Sequence, residues 1–183
     1  MDKLQRVINY LHNTRNLTFK IKCEETMDLI SYVDASHAVH DDYKSHTGNI
    51  ITINGKSIIN FKSVKQTLNS MSSTESELYA VSDSLPQLIY TKEFLEEILN
   101  KNIPTKLLQD NTSTIRLLEA GRPLSEKTRH INIKFFYIYQ YIESGILKIE
   151  YCNTKNMKAD GFTKPLQGKE FLEFRNYVLG NCN

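Results

Sequence analysis

SSTESELYAV, residues 72–81, is the stretch on which the reading of this chain turns. Ser73 and Thr74 are good helix N-caps, and Leu78, Val81, Leu85, Leu88 and Ile89 follow at helical spacing, so a helix begins here. Two acids stand in its first turns. At about 100° per residue, Glu77 lies on one flank of the apolar stripe near Val81 and Leu88, and Glu75 on the other near Ile89. Either can approach a core, and both are also the kind of first-turn acid that complements the helix dipole. Periodicity does not choose between them.

Upstream, LISYVDAS (29–36) mixes Leu29, Ile30, Tyr32 and Val33 with little polar alternation, which suits a strand covered on both faces; it carries a carboxylate, Asp34. GNIITINGKSIINF (48–61) is two β-prone runs either side of Asn54-Gly55, a strong hairpin signal. Three antiparallel strands are therefore expected. Further upstream, DKLQRVINYLH (2–12) places Leu4, Val7, Ile8 and Leu11 on one helical face, and Phe19 to Cys23 reads as an edge strand before a polar joint. Downstream, Pro86 removes a backbone donor and is predicted to kink or divide the helix. TKLLQD (105–110) reads as a short strand ending in Asp110, with Thr112 or Ser113 capping a helix that runs to Gly121. Residues 128–144 hold Ile131, Phe135, Ile138 and Ile142 at helical spacing, and ILKIEYC (146–152) alternates as a strand. NMKADGFTKPL (156–166) puts Asp160 on a short helical turn, and KEFLEFRNYVLG (169–180) closes with Phe171, Phe174 and Val178 on one helical face.

A chain of 183 residues, 40% hydrophobic, buries one sizeable core. Residues 1–26 read as an appended helix and linker, and 27–183 as the domain with its C-terminal helix. A net charge of +2 is too mild to declare a nucleic-acid binder by itself. Cys23, Cys152 and Cys182 are odd in number and far apart, which points away from zinc or a disulfide framework and towards a reducing, intracellular setting. No apolar run reaches membrane-spanning length, so no membrane partner is expected.

Three antiparallel strands, a helix, a strand, two helices, a strand and a last helix make a mixed α/β order, with acids at Asp34, Glu77, Asp110 and Asp160. That is the pattern of ribonuclease H. The text further resembles the RNase H domain of Ty1/copia-type LTR retrotransposon polyproteins through DAS (34–36), KSHTG (44–48), KSVKQ (62–66), SSTESE (72–77), QDN (109–111), KTRHINIKFF (127–136) and ADGFTK (159–164). Each string is weak alone; together, in this order, they are specific. The resemblance covers about residues 29–166, and residues 3–21 resemble the end of the connection that precedes RNase H in such polyproteins. It implies a mixed five-stranded sheet, three antiparallel strands then parallel additions, flanked by helices. It also selects Glu77 over Glu75, because Leu-Tyr-Ala follows Glu77 as in ribonucleases H generally. The chain departs from the family at His37 and Phe61, where tryptophans are usual, at Leu78 in place of an aromatic, and in lacking a histidine before Asp160.

The resemblance makes Asp34, Glu77, Asp110 and Asp160 metal ligands. Converging carboxylates raise one another's pKa unless a cation lies between them, and an all-oxygen set favours Mg²⁺, with Mn²⁺ as substitute. Two such ions roughly 3.5–4 Å apart activate an attacking water and stabilise the leaving 3′ oxygen. The expected reaction is hydrolysis of the RNA strand of an RNA–DNA hybrid during reverse transcription. Ala35, Ser36, Ser76 and Asn111 are candidates for contacts to the 2′-hydroxyl. Arg129 and His130, within a basic stretch that also holds Arg116, Arg122, Lys127 and Lys134, are candidates for the hybrid backbone. Expected partners are the hybrid and the reverse transcriptase portion of a parent polyprotein, in the cytoplasm within a virus-like particle, with the nucleus as a further site. Two rival readings fit the same fold. Transposase and integrase cores put a glutamate last, which this order contradicts; a catalytically weak or domesticated fragment that binds nucleic acid or props a neighbour is disfavoured by four intact acids.

Overall fold

The computed structural model describes residues 2–22, 24–121 and 129–181, with side chains of the last span from 132 onward. Three strands, β1 (Leu29–Ser36), β2 (His46–Ile53) and β3 (Ser57–Lys65), form an antiparallel meander. Asn54 and Gly55 turn the second hairpin with φ of 54° and 69°, the left-handed pair a two-residue hairpin loop demands. A helix, α2 (Ser73–Leu99), leads to β4 (Thr105–Gln109), which joins the far side of β1 in parallel. Then come α3 (Thr112–Glu119), α4 (Arg129–Glu143) and β5 (Lys148–Tyr151), parallel to β4. The sheet order is β3-β2-β1-β4-β5. A four-residue helix, α5 (Asp160–Thr163), and α6 (Gly168–Val178) follow, while α1 (Lys3–Thr14) precedes the sheet.

Strand alternation sends apolar side chains to both faces. Leu29, Val33, Ile51 and Leu107 join Leu78, Val81, Leu85, Leu88, Leu118, Phe135 and Ile138 in one core beneath α2, α3 and α4. On the opposite face, Tyr32 packs with Met157 and Ala159, and Ile50 and Ile58 pack with Tyr177 of α6. The covering of β1 on both faces explains its unalternating sequence.

Some local expectations are corrected. Pro86 does not divide α2, which runs as one helix through it. Pro86 cannot donate to the Ser82 carbonyl four residues back; the neighbouring Asp83 carbonyl takes a further bond from Lys62 Nζ at 3.2 Å. The cap of α2 is Ser72, whose Oγ accepts from Glu75 N, and that of α3 is Asn111, whose Oδ1 accepts from Thr114 N at 3.0 Å. Phe19 to Lys22 is not a strand: Lys20 N bonds to Leu179 O at 2.9 Å and Lys22 N to Ser57 Oγ at 2.8 Å, attachments too sparse for a ladder. Cys23 and Cys182 lie outside the described residues; Cys152 is a buried free thiol. Among the described residues, no helix is long and apolar enough to cross a membrane.

Helix α1 leans on α6, with Tyr10 and Phe171 edge to face at 5.8 Å, but buries none of its residues. Leu4, Val7, Ile8 and Leu11 remain exposed.

Candidate active site

Parallel pairing of β1 with β4 brings Asp34 and Asp110 out at the same end of neighbouring strands. Helix α2 crosses the sheet there and supplies Glu77 from its second turn. One oxygen each of Asp34, Glu77 and Asp110 lie within 4.8 Å of one another. Gln109, fully buried at the end of β4, organises this corner: its Nε2 donates to Glu77 Oε2 at 3.0 Å, while its Oε1 accepts from Asp110 N at 2.7 Å and Asn111 N at 3.0 Å. The Ala35 amide also donates to Glu77.

Glu75, the acid that helical periodicity leaves equivalent, turns elsewhere. Its Oε1 accepts from Tyr79 OH at 2.6 Å and its Oε2 from Met71 N at 2.8 Å, which closes the head of α2 in the manner of a capping box.

Asp160, on α5 at the other face, is not among the three acids that meet within 4.8 Å, although its charge acts on Asp34. That short helix is wedged between β2 and α6, and two glycines make the fit. A Cβ on Gly48, the β2 partner of Asp34, would stand 2.7 Å from Thr163 Cγ2 and 2.9 Å from Ala159 O. A Cβ on Gly161 would fall inside the Phe174 ring. So placed, Thr163 Oγ1 donates to Asp34 Oδ2, Ser36 Oγ donates to Thr163 O at 3.2 Å, and Lys164 Nζ pairs with Asp160 Oδ1 at 2.9 Å. Thr154 Oγ1 donates to Asp110 Oδ2 at 2.9 Å.

Burial pushes Glu77 up to about 8, with the charges of Asp34 and Asp110 adding to it against the opposing bonds from Gln109 and Ala35. Burial likewise raises Asp34, reinforced by Asp160 and Asp110 and opposed by Thr163 and Lys164. Burial works against the charge on Lys164, but Asp160, Asp34 and Asp110 more than offset it and hold its pKa above the ordinary value. This is a site with more negative charge than it can hold ionised by itself. Hard oxygen donors, a surplus of anionic charge and no histidine or thiolate among the donors fit a hard divalent cation.

The remaining candidates divide. Ser36 lies beside the cluster on Thr163. Asn111 is partly buried and spends its Oδ1 on the α3 cap. Ser76 is fully buried, its hydroxyl donating to Ser73 O at 2.7 Å, and faces inward, away from any strand on the surface. The side chains of Arg129 and His130, with Arg122 and Lys127, lie outside the described residues. Lys134 of the same basic stretch pairs with Asp83 at 2.8 Å and sits over the Tyr79 ring. At the positions lacking tryptophan, His37 Nδ1 meets Ser70 Oγ at 3.1 Å and Phe61 stacks on Phe162 at 5.3 Å. Reading the sequence missed Gln109, Gly48, Thr163 and Lys164. All four stand inside the strings that carry the resemblance, but as uncharged or solitary residues, most of whose partners come from other elements.

No family model matches the chain. It is 33% identical over 180 residues, 96% of its length, to the Transposon Ty1-ER2 Gag-Pol polyprotein of Saccharomyces cerevisiae, and equally to Ty1-MR2. It spans about a tenth of the length of these relatives, covering 10% of each. Among solved structures, LC11-RNase H1, isolated from compost, aligns with a TM-score of 0.56 at 18% identity, over 74% of this chain and 91% of that one. The same enzyme in complex with an RNA/DNA hybrid also aligns at 0.56, with 16% identity over 74% and 93% of the two chains. Prototype foamy virus protease-reverse transcriptase aligns at 0.51, with 15% identity over 79% of this chain and 21% of that one.

Proposed function

We propose that this chain, which has the ribonuclease H fold and is the counterpart of one segment of Ty1 Gag-Pol polyproteins, is an endonuclease that hydrolyses the RNA strand of RNA–DNA hybrids in retrotransposon reverse transcription. The meeting of Asp34, Glu77 and Asp110 within 4.8 Å, with Asp160 near enough for its charge to act on Asp34, carries this reading. These four side chains would hold Mg²⁺, or Mn²⁺ in its place, as one or two ions. When bound, the metal supplies a water of lowered pKa and Lewis-acid stabilisation of the leaving oxygen. The chain's own part is placement: Gln109 fixes Glu77 and the start of the Asp110 loop, while Thr163 fixes Asp34.

The LC11 enzyme, whose fold this chain shares, is known with an RNA/DNA hybrid bound, which supports the same substrate here. We assign residues 27–183 to the catalytic domain and 1–26 to an appended segment. The exposed Leu4, Val7, Ile8 and Leu11 of that segment suit docking to the neighbouring reverse transcriptase portion of a polyprotein. The setting that follows is a cytoplasmic virus-like particle.

The test is incubation of the full chain with an end-labelled RNA–DNA hybrid and Mg²⁺. RNA fragments ending in 3′-hydroxyl beside intact DNA are expected. A folded chain that binds the hybrid and leaves the RNA whole would mark it as a binding module instead.

A further inference from the structure

We propose that Lys164 is a displaceable counter-cation built into the site, which competes with the divalent ion for the Asp34–Asp160 side of the carboxylate cluster. This rests on the metal-dependent reading above. The geometry is local: Lys164 closes the α5 turn four residues after Asp160, and its Nζ lies 2.9 Å from Asp160 Oδ1. It also feels the charges of Asp34 and Asp110. A single ammonium therefore pairs with one acid and lies within electrostatic reach of two more.

Two further features make it exchangeable. The Lys164 side chain is 47% exposed, so its stem has water to swing into, whereas the Asp160 side chain is 24% exposed and held by the packing of Gly48 and Gly161. The other partners of the cluster, Gln109 on Glu77, Thr163 on Asp34 and Thr154 on Asp110, are neutral hydrogen-bond donors. They orient carboxylates without cancelling charge. Lys164 alone among the described partners of these acids brings a positive charge. A compact, strongly hydrated ammonium on a flexible stem suits a group that must leave.

Isothermal titration of the full chain with Mg²⁺ and Mn²⁺, compared across variants, tests this. Lys164→Gln is expected to bind the ion about three- to fivefold more tightly, the equivalent of losing one partly exposed ion pair with Asp160. Lys164→Arg, which keeps the charge, should stay within about twofold of the parent. In an Asp160→Asn background the gain from Lys164→Gln should largely vanish. Equal or weaker metal binding by Lys164→Gln, in a parent that binds normally, would overturn the role of Lys164 alone. A parent that takes up no divalent ion would overturn the metal-dependent reading and this role with it.

Discussion

Glu77 gives the sharpest access to the charge stored in this site. Its folded pKa of about 8 stands above the ordinary 4.5 chiefly because the carboxylate is buried, so the native state keeps a proton that the unfolded chain releases. Between those two values the native state binds more protons, and stability falls as pH rises; below 4.5 the contribution is fully present, and above about 8 it is fully lost. Each tenfold change in proton affinity is worth about 1.4 kcal/mol. The span from 4.5 to about 8 caps the effect at about 5 kcal/mol, and local relaxation brings it to about 2–4 kcal/mol. Glu77→Gln mimics the protonated acid, keeps an acceptor for Gln109 and cannot ionise. In chelator, its advantage over the parent should grow from near zero at about pH 5 to about 2–4 kcal/mol at about pH 8, or roughly 6–12 °C in Tm for a domain of this size. Saturating Mg²⁺ should erase that advantage, since the cation then favours the ionised parent. Parallel stability curves for the two proteins in chelator, measured by urea unfolding across this pH range, would refute the account.

Asp34→Asn and Asp110→Asn are each expected to reduce hybrid cleavage by at least about a thousandfold while leaving the urea midpoint at or above that of the parent, because a charged ligand is removed without volume; the gel assay and the unfolding curve together check it. Glu75→Ala should show the opposite profile, losing about 1–3 kcal/mol of stability with the orphaned Met71 N–H and Tyr79 hydroxyl, yet cleaving at close to the parent rate wherever it is folded. Gly48→Ala should push α5 off the sheet; weaker Mn²⁺ binding and slower cleavage with retained far-ultraviolet circular dichroism are the expected signs.

Much of this was legible in the sequence because it is local. Asn54-Gly55 specifies its hairpin by backbone conformation, and LISYVDAS reads as a doubly covered strand because it is one. The resemblance implied parallel additions to the three antiparallel strands; that β4 lies against β1, which sets Asp34 beside Asp110, is visible only in the sheet. Glu75 and Glu77 show the limit of periodicity. Both are buried, and what separates them is a partner: Tyr79, one turn away, for the first, and Gln109, on another strand, for the second. The continuity of α2 through Pro86 was not legible either, because Leu85, Leu88 and Ile89 on both sides of the proline are held in a core that exists only once the sheet is in place. Gly48 and Gly161 declare their purpose only once the elements they admit are in place.

The wedge of α5 also bears on when the site comes into being. Thr163 meets Asp34 across 129 positions of sequence, and the Phe174 ring that backs Gly161 comes later still. On a ribosome that makes the chain from its N-terminus, Asp34, Glu77 and Asp110 emerge well before the segment that completes them, by an interval on the order of seconds. A nascent chain therefore carries three acids and no fourth, and neither Thr163 nor Lys164 yet restrains them. Within this chain, the stretch that carries Asp160, Thr163 and Lys164 is made after the three acids it comes to restrain.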